Sequence, residues 1–288
     1  MRTPTIRRSF ALFAALILCA TLYARADEPK GFVMVQLCDT QLGRGGYDHD
    51  LETFRLAVEQ INALNPDFVV LCGDLVDNGA NPKAYADFLS VYNGFEIPCH
   101  LAPGNHDVGI RPSVGTLERY RKVIGPDYFS FKHKGYTIVN VNTQLWLGVL
   151  EGESEKHDAW FEETLRDAHE NGRPVIVAGH YPPFLKDVNE KYNGLNLPLE
   201  KRIEIMELCE RYGVVLFLAG HVHRNNVADY KGIPVVTTAT TSYNVGSAPM
   251  GYRVWNVGPP NPGALAHEYV AVEGAVRPQD LRKKARER

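Results

Sequence analysis

Five apolar runs in this chain each end in a tight turn that presents a metal-ligating side chain. They are Asp39-Thr40-Gln41, Gly73-Asp74-Leu75-Val76-Asp77, Gly104-Asn105-His106-Asp107, Gly179-His180 and Gly220-His221-Val222-His223. Ligands presented from strand ends converge when the strands' carboxyl ends share one edge, the general rule for open α/β sheets. A pair of adjacent dications needs a bridging carboxylate, terminal carboxylates and imidazoles, and a neutral ligand to limit charge. The motifs supply that mixture. Asp74 is the expected bridge, with Asp39, Gln41 and His223 on one metal and Asn105, His180 and His221 on the other. The two imidazoles of His221-Val222-His223 share one face of an extended segment and can divide between neighbouring metals. His106 is the expected general acid, with Asp107 next to it as its carboxylate partner. Asp77 reads as a neighbour of the ligands or a turn stabiliser. His49, His100, His133, His157, His169 and His267 lack the motif context and read as surface or packing histidines.

The rest of the chain supports an α/β class. Strands are predicted over Phe32 to Leu37, Asp67 to Cys72, Ile97 to Leu101, Val175 to Ala178 and Val214 to Ala219. Helices are predicted over Leu51 to Leu64, Tyr85 to Tyr92, Glu155 to His169 and Glu200 to Tyr212. Near-continuous apolar strands alternating with helical patterns predict a sheet covered by helices. Tyr128 to Phe131 and Tyr136 to Val141 flank Lys132-His133-Lys134-Gly135, a hairpin signal. Past His223 the chain is β-rich, over Val235 to Thr241, Arg253 to Val257 and His267 to Val272. Residues 276–288 form a charged tail, expected as a solvated helix or a frayed end.

Residues 1–26 read as a secretory signal peptide. Arg2, Arg7 and Arg8 precede an apolar stretch from Ser9 to Tyr23, and Ala24-Arg25-Ala26 fits the small-x-small cleavage pattern. That stretch is shorter than the roughly 20 residues that span a bilayer. The expectation is an exported chain, periplasmic or secreted, with no stable membrane insertion after cleavage; an uncleaved anchor is the alternative. The mature part carries 27 basic and 34 acidic side chains, which argues against nucleic acid as a partner. Residues 27–275 suit one large domain, and a monomer is expected. Cys38, Cys72, Cys99 and Cys209 have no metal-site spacing and are either buried thiols or disulfide partners.

The motif set resembles the calcineurin-like metallophosphoesterase superfamily, and within it a group of metal-dependent serine/threonine protein phosphatases. The narrower likeness rests on Asp39-Thr40-Gln41-Leu42-Gly43, Leu64-Asn65-Pro66, Val70-Leu71-Cys72-Gly73-Asp74-Leu75, Gly104-Asn105-His106-Asp107-Val108-Gly109, Asp127-Tyr128-Phe129-Ser130-Phe131 and Gly220-His221-Val222-His223-Arg224-Asn225. The resemblance implies a four-layer αββα sandwich and two divalent metal ions, Mn, Fe or Zn. It implies a phosphatase in which a hydroxide generated at the metals attacks phosphomonoesters, phosphoserine and phosphothreonine among them. An exported phosphodiesterase of nucleotides or lipid headgroups is the alternative, and a catalytically weak metal-dependent binding protein is a third reading. Gln41 departs from the histidine usual at its position, which implies a looser metal beside Asp39 and His223 and a preference there for Mn²⁺ or Mg²⁺ over Zn²⁺. Arg44, Arg111, Tyr181, Arg224, Asn225 and Tyr243 lie near the motifs and are expected to grip substrate.

Overall fold

Alternation along the central strands sets the layering. In β1 (Phe32–Leu37), Val35 and Leu37 face one core while Phe32 and Met34 face another. In β2 (Phe68–Cys72), Val69 and Leu71 share the first core while Phe68, Val70 and Cys72 share the second. Successive side chains of a strand point to opposite faces, so a strand apolar at every position must be covered on both. A computed structural model, described over residues 30–260 and 264–286, shows how that cover is arranged. The signal-peptide reading of residues 1–26 lies outside the described residues.

The remaining strands are β3 (Cys99–Ala102), β4 (Phe129–His133), β5 (Tyr136–Asn140), β6 (Val175–Ala178), β7 (Val214–Ala219), β8 (Asn226–Tyr230), β9 (Ile233–Thr237), β10 (Gly251–Val257) and β11 (Leu265–Ala271). They form two mixed sheets, ordered β11-β10-β1-β2-β3 and β4-β5-β6-β7-β9-β8. Strands β1, β2 and β3 run parallel, as do β5, β6, β7 and β9. The helices are α1 (Tyr47–Leu64), α2 (Pro82–Tyr92), α3 (Asn105–Val108), α4 (Val114–Val123), α5 (Gln144–Leu147), α6 (Glu153–Glu170), α7 (Leu199–Arg211) and α8 (Pro278–Arg286).

Three apolar cores separate four layers. Phe54, Ile61 and Phe88 of α1 and α2 pack on the first sheet. Phe161, Leu165, Ile205 and Met206 of α6 and α7 pack on the second. Met34, Val70, Ile176, Leu216 and Trp255 fill the space between the sheets. Burying each such side chain contributes about 1.5–3 kcal/mol. Gln36 is the polar member of the inter-sheet core. It donates to the carbonyls of Ala219 and Val236, at 2.9 and 3.1 Å, and accepts from the Trp255 indole at 3.2 Å. One amide thereby locks the strands that carry Asp39 and His221. The result is the expected αββα sandwich.

Some local expectations change. Helix α1 begins at Tyr47, because Asp50 accepts from the amides of Gly43 and Gly45 and organises the turn before it. Helix α4 and edge strand β8 were absent from the pattern, whereas the Val235–Thr241 strand stops at Thr237. The C-terminal stretch is not a free tail at its start. Pro278 is buried, Gln279 donates to the Asn244 carbonyl at 2.7 Å, and Arg277 donates to that of Gly246 at 3.1 Å. All four described cysteines are free thiols. Among the described residues no helix is long and apolar enough to cross a membrane.

His157 is a packing residue, fully buried among Tyr128, Trp146 and Trp160. Its Nε2 accepts from the Asn142 amide, and burial, with the Lys201 charge adding, lowers its pKa to about 3. The fold therefore holds it neutral, while the unfolded chain protonates it near pH ~6.5. Its stabilisation is complete above that value and is lost as pH falls from there toward 3. The melting-temperature gap between wild type and His157→Gln should narrow from pH 7 to pH 5; a gap independent of pH would contradict this.

Candidate metal centre

The carboxyl ends of β1, β2 and β3 in one sheet and of β6 and β7 in the other meet at one edge. The turns after these strands hold Asp39, Asp74, Asn105, His180 and His221. The first two turns are stitched into one unit: Asp39 N donates to Gly73 O, Gln41 N to Asp74 O and Asp77 N to Leu42 O. Asp39, Gln41, Asp74, His221 and His223 all have positive φ, between 36° and 67°. For residues other than glycine this left-handed region costs about 1–3 kcal/mol each and persists only where the surroundings enforce it. Two glycines make the close approach feasible. A Cβ on Gly104 would lie 2.1 Å from Asp74 Oδ1, and one on Gly220 would lie 2.6 Å from Asp39 Oδ2.

Two groups of ligand atoms result. Asp74, His180 and His221 place theirs within 4.8 Å of one another, and so do Asp39, Asp74 and His223. Asp74 belongs to both, as a bridge must. Asn105 Oδ1 joins the first group, 3.1 Å from His180 Nε2. Gln41 belongs to the turn that carries Asp39, with Nε2 donating to Asp77 Oδ1 at 3.2 Å and Oε1 buried without a hydrogen-bond partner. A buried acceptor left without a donor is costly, and a cation satisfies it.

Each imidazole is already set for ligation. His180 Nδ1 donates to Cys72 O at 2.8 Å, His221 Nε2 to Gly194 O at 3.2 Å, and His223 Nδ1 to Tyr243 O. Committing one ring nitrogen as donor leaves the other to take a metal ion or, in its absence, a proton, the usual support of a metal-bound histidine. The donor set therefore fits two divalent ions. The three supporting groups are backbone carbonyls, which carry no side-chain signal and were not anticipated from sequence.

Electrostatics agree. Burial opposes the charge on Asp74, yet the adjacent His180 holds this carboxyl well below the usual range. Burial likewise opposes the charge on His180, and Asp74 nonetheless raises it to about 10. Burial, then repulsion from His180, lowers His221 to about 4. The pocket draws positive charge between Asp74 and His180, and a metal ion entering there competes with a proton.

The structure alters several expected roles. Asp107 does not pair with His106. Its buried carboxylate accepts from the amides of Leu75 and Gly104 and the Tyr85 hydroxyl, which shapes the loop. Burial, then the Asp74 charge, raises Asp107 to about 7. Asp77 faces His106 instead: His106 Nδ1 donates to the Asp77 carbonyl at 2.7 Å, which leaves Nε2 outside that bond. Tyr181 is 2% exposed and stacks on His221, with ring centroids 3.6 Å apart, so it braces a ligand. Asn225 Oδ1 accepts from Ala239 N and from Arg253, which commits it to the loop. Arg44, Arg111 and Arg224 are exposed, in the segments that follow Gln41, Asp107 and His223. Tyr243 is partly buried and supplies its carbonyl to His223.

The calcineurin-like phosphoesterase family profile matches residues 35–225. The chain belongs to this family. It is 31% identical over 257 residues to the zebrafish (Danio rerio) serine/threonine-protein phosphatase CPPED1, covering 79% of this chain and 83% of that protein. It is 28% identical over 223 residues to a probable glycerophosphodiester phosphodiesterase, GpdQ, of Arcobacter nitrofigilis, covering 74% of this chain and 80% of the relative. The fold is shared with a dimetal phosphatase from Danio rerio, with a TM-score of 0.63 and 14% identity over 85% of this chain and all of that one.

Placing the ligand turns at van der Waals contact has a testable consequence. Gly104→Ala should displace the Asp74 carboxylate, so that Mn²⁺-loaded, desalted protein retains less metal per chain than wild type by elemental analysis. Wild-type metal content in this variant would contradict the account.

Proposed function

We propose that the chain hydrolyses phosphomonoesters, phosphoserine and phosphothreonine among them, at a dinuclear centre built on Asp74. The observation that carries this is the sharing of Asp74 between two ligand groups, each with its own imidazole or imidazoles. Two divalent ions held there by Asp74 and its neighbours would polarise phosphoryl oxygens and make water acidic enough to lose a proton near neutral pH. His106, with Nδ1 held by the Asp77 carbonyl, gives a proton from Nε2 to the leaving oxygen. Asn105 and His180, linked to each other, help hold the metal on the His221 side. Arg44, Arg111 and Arg224 can meet the phosphate charge from the rim. The preference for monoesters is supported by relatives named as serine/threonine phosphatases across four fifths of this chain.

The metal choice follows from Gln41. An amide oxygen is a harder and weaker donor than imidazole, so the ion beside Asp39 and His223 is held more loosely and favours Mn²⁺ or Mg²⁺ over Zn²⁺. Diester hydrolysis is the second reading, favoured by the likeness to the probable glycerophosphodiester phosphodiesterase.

Hydrolysis of para-nitrophenyl phosphate and bis-para-nitrophenyl phosphate by metal-stripped protein, resupplied with Mn²⁺, Fe²⁺ or Zn²⁺, tests both readings. Activity should return with Mn²⁺, favour the monoester, and fall at least about 100-fold in Asp74→Ala. Preference for the bis-aryl ester would establish the diesterase reading. No hydrolysis with any metal would leave a binding protein.

A further inference from the structure

The Gln41 amide has two chemically different ends, and only its oxygen can bind a cation. Nothing in its own backbone selects that end. The backbone is pinned by the bond from Gln41 N to Asp74 O, and φ at Gln41 is 36°. The side chain can still turn by half a rotation with almost no change in shape. What distinguishes the ends is Asp77. Its Oδ1 lies 3.2 Å from Gln41 Nε2, and a carboxylate can only accept hydrogen bonds. The NH₂ end must therefore face Asp77, and Oε1, the opposite end of the amide, is left buried without a partner.

We propose that Asp77 is a positioning residue that aims the Gln41 carbonyl oxygen at the metal beside Asp39 and His223. This rests on the dinuclear reading above. Asp77 is well placed for the task. The turns carrying Gln41 and Asp77 are joined by the Leu42 to Val76 bridge and by Asp77 N donating to Leu42 O at 3.2 Å. Its position relative to Gln41 is thus fixed by backbone. Its side chain is 36% exposed, and its carboxylate meets Gln41 and His106, so replacing it acts on direction more than on folding. The same residue meets His106 Nδ1 twice, through its carbonyl at 2.7 Å and its Oδ1 at 3.4 Å, and a side-chain substitution leaves the shorter, carbonyl bond in place. A weak amide ligand gains most from such aiming, because an NH₂ turned toward a cation would repel it.

Mn²⁺ titration of the metal-free full chain, followed by the electron paramagnetic resonance of free Mn²⁺, separates the possibilities without relying on turnover. Wild type should bind two Mn²⁺, one more weakly. Asp77→Ala should weaken the looser site by about 10–100-fold, the usual effect of removing a group that orients a ligand, and leave the tighter site unchanged. Asp77→Asn, whose Oδ1 accepts the same bond, should restore most of that affinity. Two Mn²⁺ bound by Asp77→Ala at wild-type affinity would overturn the proposal. So would an Asn variant as weak as the Ala variant, since charge rather than bond direction would then be at work. Wild-type protein with a single Mn²⁺ site would instead overturn the dinuclear reading itself. Unchanged unfolding temperatures of the metal-free variants separate aiming from loss of fold.

Discussion

Asp74 follows β2 of one sheet, and His180 follows β6 of the other; Asp74 Oδ2 lies 3.2 Å from His180 Nε2. Its other oxygen accepts from the His106 amide at 2.8 Å, so the turn after β3 is tied to the same carboxylate. Much else follows from this junction. The sheets must stack with their carboxyl ends level, which the inter-sheet core of Met34, Val70, Ile176 and Leu216 enforces. The turns must approach within contact of one another, which is why Gly104 and Gly220 leave no room for a side chain. The carboxylate must also stay charged in a buried place, which needs positive charge beside it.

The centre is expensive to build. Five ligand residues hold left-handed backbone, and two acids and three imidazoles are gathered where little water reaches. Three apolar cores and the backbone bonds between turns offset that cost and hold the ligands before any ion arrives. Preorganisation of this kind extends outward. Cys72, Gly194 and Tyr243 fix the imidazoles through carbonyls, Tyr181 stacks on His221, and Asp77 faces both Gln41 and His106. The long segment between β6 and α7, which begins with Gly179-His180, takes part again through Gly194, 27 residues before the His221 it supports.

Much of this was legible in the residues because it depends on local pattern. Strands such as Phe32–Leu37 and Val214–Ala219 are apolar at successive positions, and their glycine-bearing ends mark where the ligands emerge. The sequence expects Asp39 with His223 and His180 with His221, each beside Asp74, and the side chains that come within 4.8 Å of one another group in that way. What stayed hidden depends on direction in space. Asp107 is adjacent to His106 in sequence, yet one turn of backbone points its carboxylate at Leu75 and Gly104. Asn225 and Tyr181 sit beside ligands in sequence, but one accepts from Arg253 of β10 and the other stacks on His221. Helix α4 was missed because it buries only Leu117 and Tyr120, too sparse a pattern to stand out. The docking of Pro278 depends on a partner at Gly45, which no local window contains.

The central claim is that one carboxylate bridges two preorganised ion sites. Anomalous diffraction at the manganese edge, on crystals of the full chain grown with Mn²⁺, tests it most directly. The account predicts two peaks flanking Asp74, one among His180, His221 and Asn105 and the other among Asp39, His223 and the Gln41 oxygen. A single peak, or two peaks that do not share Asp74, would contradict it.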